Sequence, residues 1–186
     1  MGHEEHKASA PKQVKCWVVS VTDTRTEADD HSGAILVEKL SAAGHKIVRR
    51  SIVSDEKEKV WAILEEAAAG KLTDAVILTG GTGIAPRDST IEAVESFIEK
   101  EIAGFGELFR RFSYDEIGTS AILSRTTAGV GHGILVLALP GSQEAVDLAV
   151  EKIILPELGH MVYEMRKPSK APKKTDPGQT GSGGGQ

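Results

Sequence analysis

Runs of apolar residues alternate with amphipathic stretches along most of the chain, which predicts strand, helix, strand, helix in regular succession. Val14 to Val21 holds Trp17, Val18 and Val19 in a row, the pattern of a strand covered on both faces. Leu36, Leu40 and Ala43 then share one helix face, with Asp29, Asp30 and Ser32 as candidate N-caps and Gly44 as the stop. His45 to Val53 predicts a second strand. The helix predicted over Ser54 to Gly70 places Val60, Ile63, Leu64, Ala67 and Ala68 on one side, and Asp55 opens it, where a carboxylate meets the positive end of the helix dipole. Ala75 to Leu78 is the third strand. Ile91, Val94 and Ile98 give the following helix its core face, and Ser89 and Glu92 have capping-box spacing at its start.

From Gly104, Phe105, Leu108, Phe109 and Phe112 fall at i, i+3, i+4 and i+7, a stripe that suits either the core or a subunit interface. Ile117 to Val130 reads as a short helix and then a strand antiparallel to the rest. Ile134 to Leu139 is a buried strand, and a helix from about Gln143 carries Val146, Ala149, Val150 and Ile153 inward. Pro156 is expected to restart the chain into a last helix bearing Leu158, Met161, Val162 and Met165.

This alternation predicts an α/β fold of three layers, α/β/α, with a mainly parallel sheet, right-handed crossovers and helices on both faces. A chain of 186 residues suits one such domain, expected over residues 14–167. A polar, flexible arm is expected over residues 1–13 and a disordered tail over residues 168–186, where PSKAPKKTDPGQTGSGGGQ has nothing to bury. A net charge of −5 argues against a nucleic-acid partner. No stretch approaches the roughly 18 apolar residues of a membrane span, and the N-terminal residues lack an apolar signal core, so the cytoplasm is the expected location. The single cysteine, Cys16, excludes a disulfide within the chain and reads as a buried thiol.

Candidate chemistry concentrates between Ala75 and Ala93, AVILTGGTGIAPRDSTIEA. A strand that empties into a turn with Gly80, Gly81 and Gly83 ahead of a helix lets backbone N–H groups approach an anion without Cβ atoms in the way. The spacing is neither that of a Walker A loop nor G-x-G-x-x-G. Arg87 and Asp88 follow in the same loop. A second strand-turn-helix, Pro140-Gly141-Ser142, offers a similar anion site, although Ser142 alone suits a plain N-cap. Asp23, Arg25, Asp30 and Ser32 follow the first strand at the sheet edge where ligands of parallel sheets bind; each suits a cap or a solvated charge as readily as a ligand. Asp55 and Asp88 both lie at that edge. Carboxylates beside a phosphate chain repel it unless a hard cation intervenes, and Mg²⁺ accepts one or two carboxylates plus phosphate oxygens. The constellation of two glycine turns, Arg87, Asp55 and Asp88 therefore points to a Mg²⁺-nucleotide site, with no Cys nucleophile or zinc spacing in competition.

The run LTGGTGIAPRDSTIEAV, with VTDTR and DHSG upstream and GFGELFR, GTSAILSRTTAG and LALPGS downstream, resembles the MoaB/Mog family of molybdenum cofactor biosynthesis proteins over about Lys15 to Met165. The resemblance implies a Rossmann-like molybdopterin-binding fold and an adenylyltransferase that converts ATP and molybdopterin to adenylylated molybdopterin and pyrophosphate with Mg²⁺. By the same resemblance Asp55 and Asp88 are the catalytic and metal-binding carboxylates. Thr79, Gly80, Gly81, Thr82, Gly83 and Arg87 would bind nucleotide or pterin, as would Thr22, Asp23, Asp30, Ser32, Ser124, Gly141 and Ser142. A homo-oligomer, trimer or hexamer, is implied, and other molybdenum cofactor enzymes as partners. Ile91 stands where many relatives have proline, a change the first helical turn tolerates. A non-catalytic protein that binds and delivers molybdopterin on the same fold stays open beside the enzyme.

Overall fold

The computed structural model describes residues 10–167. The expected tail at 168–186, and residues 1–9 of the expected arm, lie outside the described residues. Residues 10–13 rest on the domain: the Gln13 side chain donates to the Gly44 carbonyl, and Pro11 O lies so close to Gly159 that a Cβ there would meet it at 2.6 Å.

Elements follow in the order β1 (Lys15–Val21), α1 (His31–Ala42), β2 (Lys46–Val53), α2 (Lys57–Gly70), β3 (Ala75–Thr79), α3 (Thr90–Phe97), β4 (Lys100–Glu101), α4 (Ala103–Ile117), a 3-10 segment (Gly118–Leu123), β5 (Thr127–Gly131), β6 (Ile134–Leu139), α5 (Gln143–Ala149) and α6 (Leu155–Met165). The strands form one sheet in the order β2-β1-β3-β6-β5-β4. The pairs β2-β1, β1-β3 and β3-β6 are parallel, and β5 runs antiparallel to both its neighbours. The three-layer α/β/α expectation therefore holds, as does the antiparallel strand after a short helix.

The period-2 geometry of the central strands divides two cores. Cys16 and Val18 of β1, Ala75 and Ile77 of β3, and Leu135, Leu137 and Leu139 of β6 face α1, α4, α5 and α6. Trp17, Val19 and Val21, Val76 and Leu78, and Ile134, Val136 and Ala138 face α2 and α3. Both faces being covered explains why these strands read as unbroken apolar runs. Burial pushes the Cys16 thiol up to about 12, with Asp74 adding to the shift, so it is inert at neutral pH. Phe105 and Phe109 are buried in the first core with Phe112 packed beside them, so the three phenylalanines of the stripe belong to the core, whereas Leu108 is exposed.

Three details differ from expectation. Pro156 does not restart the chain: a π-helical segment over Val150–Ile154 joins α5 to α6 in continuous helical backbone, and its wider turn accommodates the missing proline N–H. The two-residue β4 is too short and charged to show any alternation. Asp55 precedes α2, whose N-cap is Glu56, so the carboxylate is free to face another loop.

Candidate functional site

Strand order reverses between β1 and β3, and ligands of open α/β sheets bind at such a switch, outside the carboxyl ends of the strands. The loops after β1, β3 and β6 meet there around a cleft of about 330 Å³ bordered by Ser20, Thr22, Arg25, Thr79, Gly80, Gly81, Gly141 and Ser142. A second hollow of about 140 Å³ is lined by Asp23, Asp55, Arg87 and Asp88. The two share Val21, Thr22, Thr24 and Gly81, so they form one continuous site. A third groove of about 330 Å³, with Ile117, Leu123, Ser124, Pro140, Ala145 and Leu148 among its walls, adjoins the first cleft at Ser142.

Glycine is required at the centre by contact as well as by backbone conformation. Gly80 has φ +98° and a Cβ there would lie 2.2 Å from Val21 O; Gly81 has φ +61° and a Cβ there would lie 2.4 Å from Thr90 Oγ1 and 2.6 Å from Asp55 Oδ2. The Gly80 N–H is engaged by Leu139 O at 3.1 Å. The N–H groups of Gly81, Gly141 and Ser142 have no acceptor among the described residues, and all three residues border the cleft. Thr79 Oγ1 donates to Pro140 O and Ser32 Oγ to Gly141 O, both at 2.9 Å, which fastens the second glycine turn to β3 and α1.

The acidic hollow is assembled from three loops. The Asp55 N–H donates to Asp23 Oδ1 at 2.9 Å, and Asp55 Oδ1 accepts from the N–H and hydroxyl of Ser89 at 3.0 and 3.1 Å. Asp88 Oδ2 accepts from the Ala85 N–H at 3.0 Å, which closes the Ala85 to Asp88 turn. Burial raises the Asp55 pKa; the Ser89 hydrogen bonds oppose this, and Asp88 and Asp23 push it up further. Arg87 is the one basic lining residue of the hollow and makes no hydrogen bond or ion pair among the described residues.

No group of three His, Cys, Asp or Glu among the described residues is disposed to hold a metal by itself. Oxygen-only donors, two or three carboxylates and an adjoining anion-receptive cleft fit a hard cation that completes its shell with phosphate oxygens and water, as Mg²⁺ does. The residues present thus fit the ion expected from the sequence.

Several candidates lie apart from the cleft or are engaged elsewhere. Asp30 borders it, but its carboxylate is committed: Oδ1 accepts from the Gly33 N–H and Oδ2 from Ser20 Oγ and Arg50 Nη2. It caps α1 and neutralises Arg50. Ser32 is fully buried behind the second glycine turn, and Ser124 lines the third groove. Thr82 and Gly83 line neither hollow; Gly83 O accepts from Arg125 Nη1 at 2.7 Å, and Arg125 Nη2 pairs with Glu92. Ser142 accepts from the Ala145 N–H and is the N-cap of α5, while also bordering two hollows. Arg125 and Ser89 act in ways their local spacing does not reveal, because each reaches an element distant in sequence.

The family described as "Probable molybdopterin binding domain" matches residues 17–160. Molybdenum cofactor biosynthesis protein B of Bacillus subtilis is 49% identical over 168 residues, which span 90% of this chain and 99% of that one. A crystal structure of molybdenum cofactor biosynthesis protein B is 49% identical with a TM-score of 0.81, covering 84% of this chain and 98% of that chain. The tungsten cofactor synthesizing protein MoaB from Pyrococcus furiosus is 39% identical with a TM-score of 0.77, covering 85% of this chain and 100% of that chain. With a two-turn glycine cleft at the sheet switch point and matches over nearly the whole described domain, the chain belongs to the MoaB/Mog family of molybdenum cofactor biosynthesis proteins.

Proposed function

We propose that this protein transfers AMP from ATP to molybdopterin, giving adenylylated molybdopterin and pyrophosphate in a Mg²⁺-dependent reaction. The observation that carries the reading is the continuity, through Thr22 and Gly81, of a glycine-bordered cleft with a hollow holding Asp23, Asp55, Arg87 and Asp88. A protein that only carries pterin has no use for that acidic compartment.

The N–H groups of Gly81, Gly141 and Ser142 bind phosphate oxygens, and Arg87 offsets charge at the carboxylate side. Asp55 and Asp88 would hold Mg²⁺, which when bound neutralises charge on the phosphate oxygens and on departing pyrophosphate. The terminal phosphate oxygen of molybdopterin attacks the α-phosphorus of ATP. A new P–O bond forms as the bond from that phosphorus to the α,β-bridging oxygen breaks, and pyrophosphate leaves with the electron pair. No side-chain nucleophile takes part, so the protein's contribution is positioning and electrostatic. The groove around Leu123, Pro140 and Leu148 is open to a planar ring next to the phosphate cleft.

We also place the reaction in the cytoplasm; no helix among the described residues is long and apolar enough to cross a membrane. A trimer or hexamer is proposed on the uncovered Leu108, Ile117, Ile122 and Leu123, of which Ile122 is 82% exposed, and light scattering on the purified protein tests it.

The test of the reaction is Asp88→Asn. An enzyme loses about 10²–10³-fold in turnover while molybdopterin affinity stays within a small factor. Unchanged turnover removes Asp88 from the chemistry, and tight pterin binding without turnover in either protein favours the carrier.

A further inference from the structure

Thr90 is fully buried at the first position of α3, and its hydroxyl has no hydrogen-bond partner among the described residues. Its backbone is engaged, since the N–H donates to Gly81 O at 3.0 Å. A buried, unpaired hydroxyl is costly and rare, and valine would fill the same volume without that cost. The hydroxyl borders the space that Gly81 leaves by lacking a side chain, 2.4 Å from where a Cβ would stand. The other oxygen bordering that space is Asp55 Oδ2, at 2.6 Å from the same point. This is the Asp55 oxygen that receives nothing from Ser89, whose two donors both go to Oδ1.

We propose that Thr90 is a positioning residue for Asp55: its buried hydroxyl serves as the donor to Asp55 Oδ2 when metal and nucleotide occupy the site. The proposal rests on the reading of Asp55 as a carboxylate of a metal-phosphate site. A carboxylate that holds a cation is oriented by donors to its oxygens, and Ser89 serves Oδ1 alone. Gly81 is then the spacer that lets the two side chains approach across the loop. Thr90 touches no substrate in this scheme, its hydroxyl being shut off from solvent.

The test compares Thr90→Val, Thr90→Ser and Asp55→Asn in the full-length protein by calorimetric titration of Mn²⁺ in the presence of ATP, with thermal melts in parallel. Expected is an approximately tenfold weaker Mn²⁺·ATP affinity for Thr90→Val, near-native affinity for Thr90→Ser, and a Tm for Thr90→Val equal to or above that of the native protein. An undiminished Tm with weakened binding is what a merely structural hydroxyl does not give. If Thr90→Val binds as the native protein does while Asp55→Asn loses affinity, the Thr90 assignment is overturned and the metal-phosphate reading stands. If Asp55→Asn also binds normally, both fall. Should Thr90→Val fail to fold, loss of affinity in a folded Thr90→Ala that Thr90→Ser does not share supports the assignment, and retained affinity overturns it.

Discussion

Ser89 turns both of its donors onto Asp55, N–H at 3.0 Å and hydroxyl at 3.1 Å, although it occupies the N-cap position of α3. A capping serine ordinarily accepts from its own helix; here the hydroxyl makes no such bond and the residue serves the loop after β2. Removing the hydroxyl therefore affects the carboxylate more than the helix. Ser89→Ala is expected to lower turnover about tenfold, the equivalent of about 1.4 kcal/mol for a hydrogen bond to a charged group. Because that bond favours ionised Asp55, the acid limb of the pH–rate profile moves to higher pH. A pH profile of kcat checks this; an unmoved acid limb contradicts it.

Asp55 itself works against the fold at neutral pH. Burial, with Asp88 and Asp23 nearby, raises its folded pKa above the unfolded value. The folded state then binds more protons in the window between the two values, and stability falls as pH rises through it. Asp55→Asn is expected to raise the Tm at pH 7 while abolishing turnover, with the Tm gain vanishing near pH ~3, below the unfolded carboxylate range. Melts at the two pH values, beside a turnover assay, decide the matter.

Asp30 behaves in the opposite sense. Burial raises its pKa, but donors from Ser20, the Gly33 N–H and Arg50 outweigh that and hold it below the ordinary value. Its stabilisation is present above the unfolded pKa and is lost as pH falls through the folded one. Asp30→Ala removes the α1 cap and leaves Arg50, 23% exposed, with Glu27 at 4.0 Å as its remaining acidic partner, at an expected cost of about 2–4 kcal/mol at pH 7. Urea unfolding should show the difference shrinking as pH is lowered through the carboxylate range.

The two central glycines should fail differently. A Cβ at residue 80 meets backbone, Val21 O at 2.2 Å, whereas one at residue 81 meets the side chains of Thr90 and Asp55. Gly80→Ala is expected to destabilise by about 2–3 kcal/mol or more through backbone displacement. Gly81→Ala shifts movable side chains and should cost less stability while losing most turnover. Equal stability losses with turnover preserved in Gly81→Ala would contradict the geometry.

Periodicity disclosed the layers because β1, β3 and β6 are buried on both faces and α2 and α4 carry continuous apolar stripes. It could not disclose β4, two charged residues long, or the π-helical segment that carries the chain past Pro156. The placing of the glycine turns and Asp88 at the cleft was legible since each lies in a loop that directly follows a strand. Asp55 was legible as a residue at the right sheet edge, but its place just before α2 suggested a helix-dipole contact and not the hydrogen bonds from Ser89, which is 34 positions away. Arg125 belongs to the same class, since only the fold brings it to Gly83 across 42 positions. Asp30 shows the reverse: its place at the sheet edge suggested a ligand, and three donors from two strands and its own helix commit it instead.

The central claim is AMP transfer at the joined cleft, and the most direct measurement mixes purified protein with molybdopterin and Mg-ATP, following pyrophosphate release and the mass of the pterin product. The expected result is a pterin heavier by one adenylyl group, formed with one equivalent of pyrophosphate, dependent on Mg²⁺ and absent in Asp88→Asn. Molybdopterin bound tightly by the folded protein with no adenylylated product and no pyrophosphate would contradict the account.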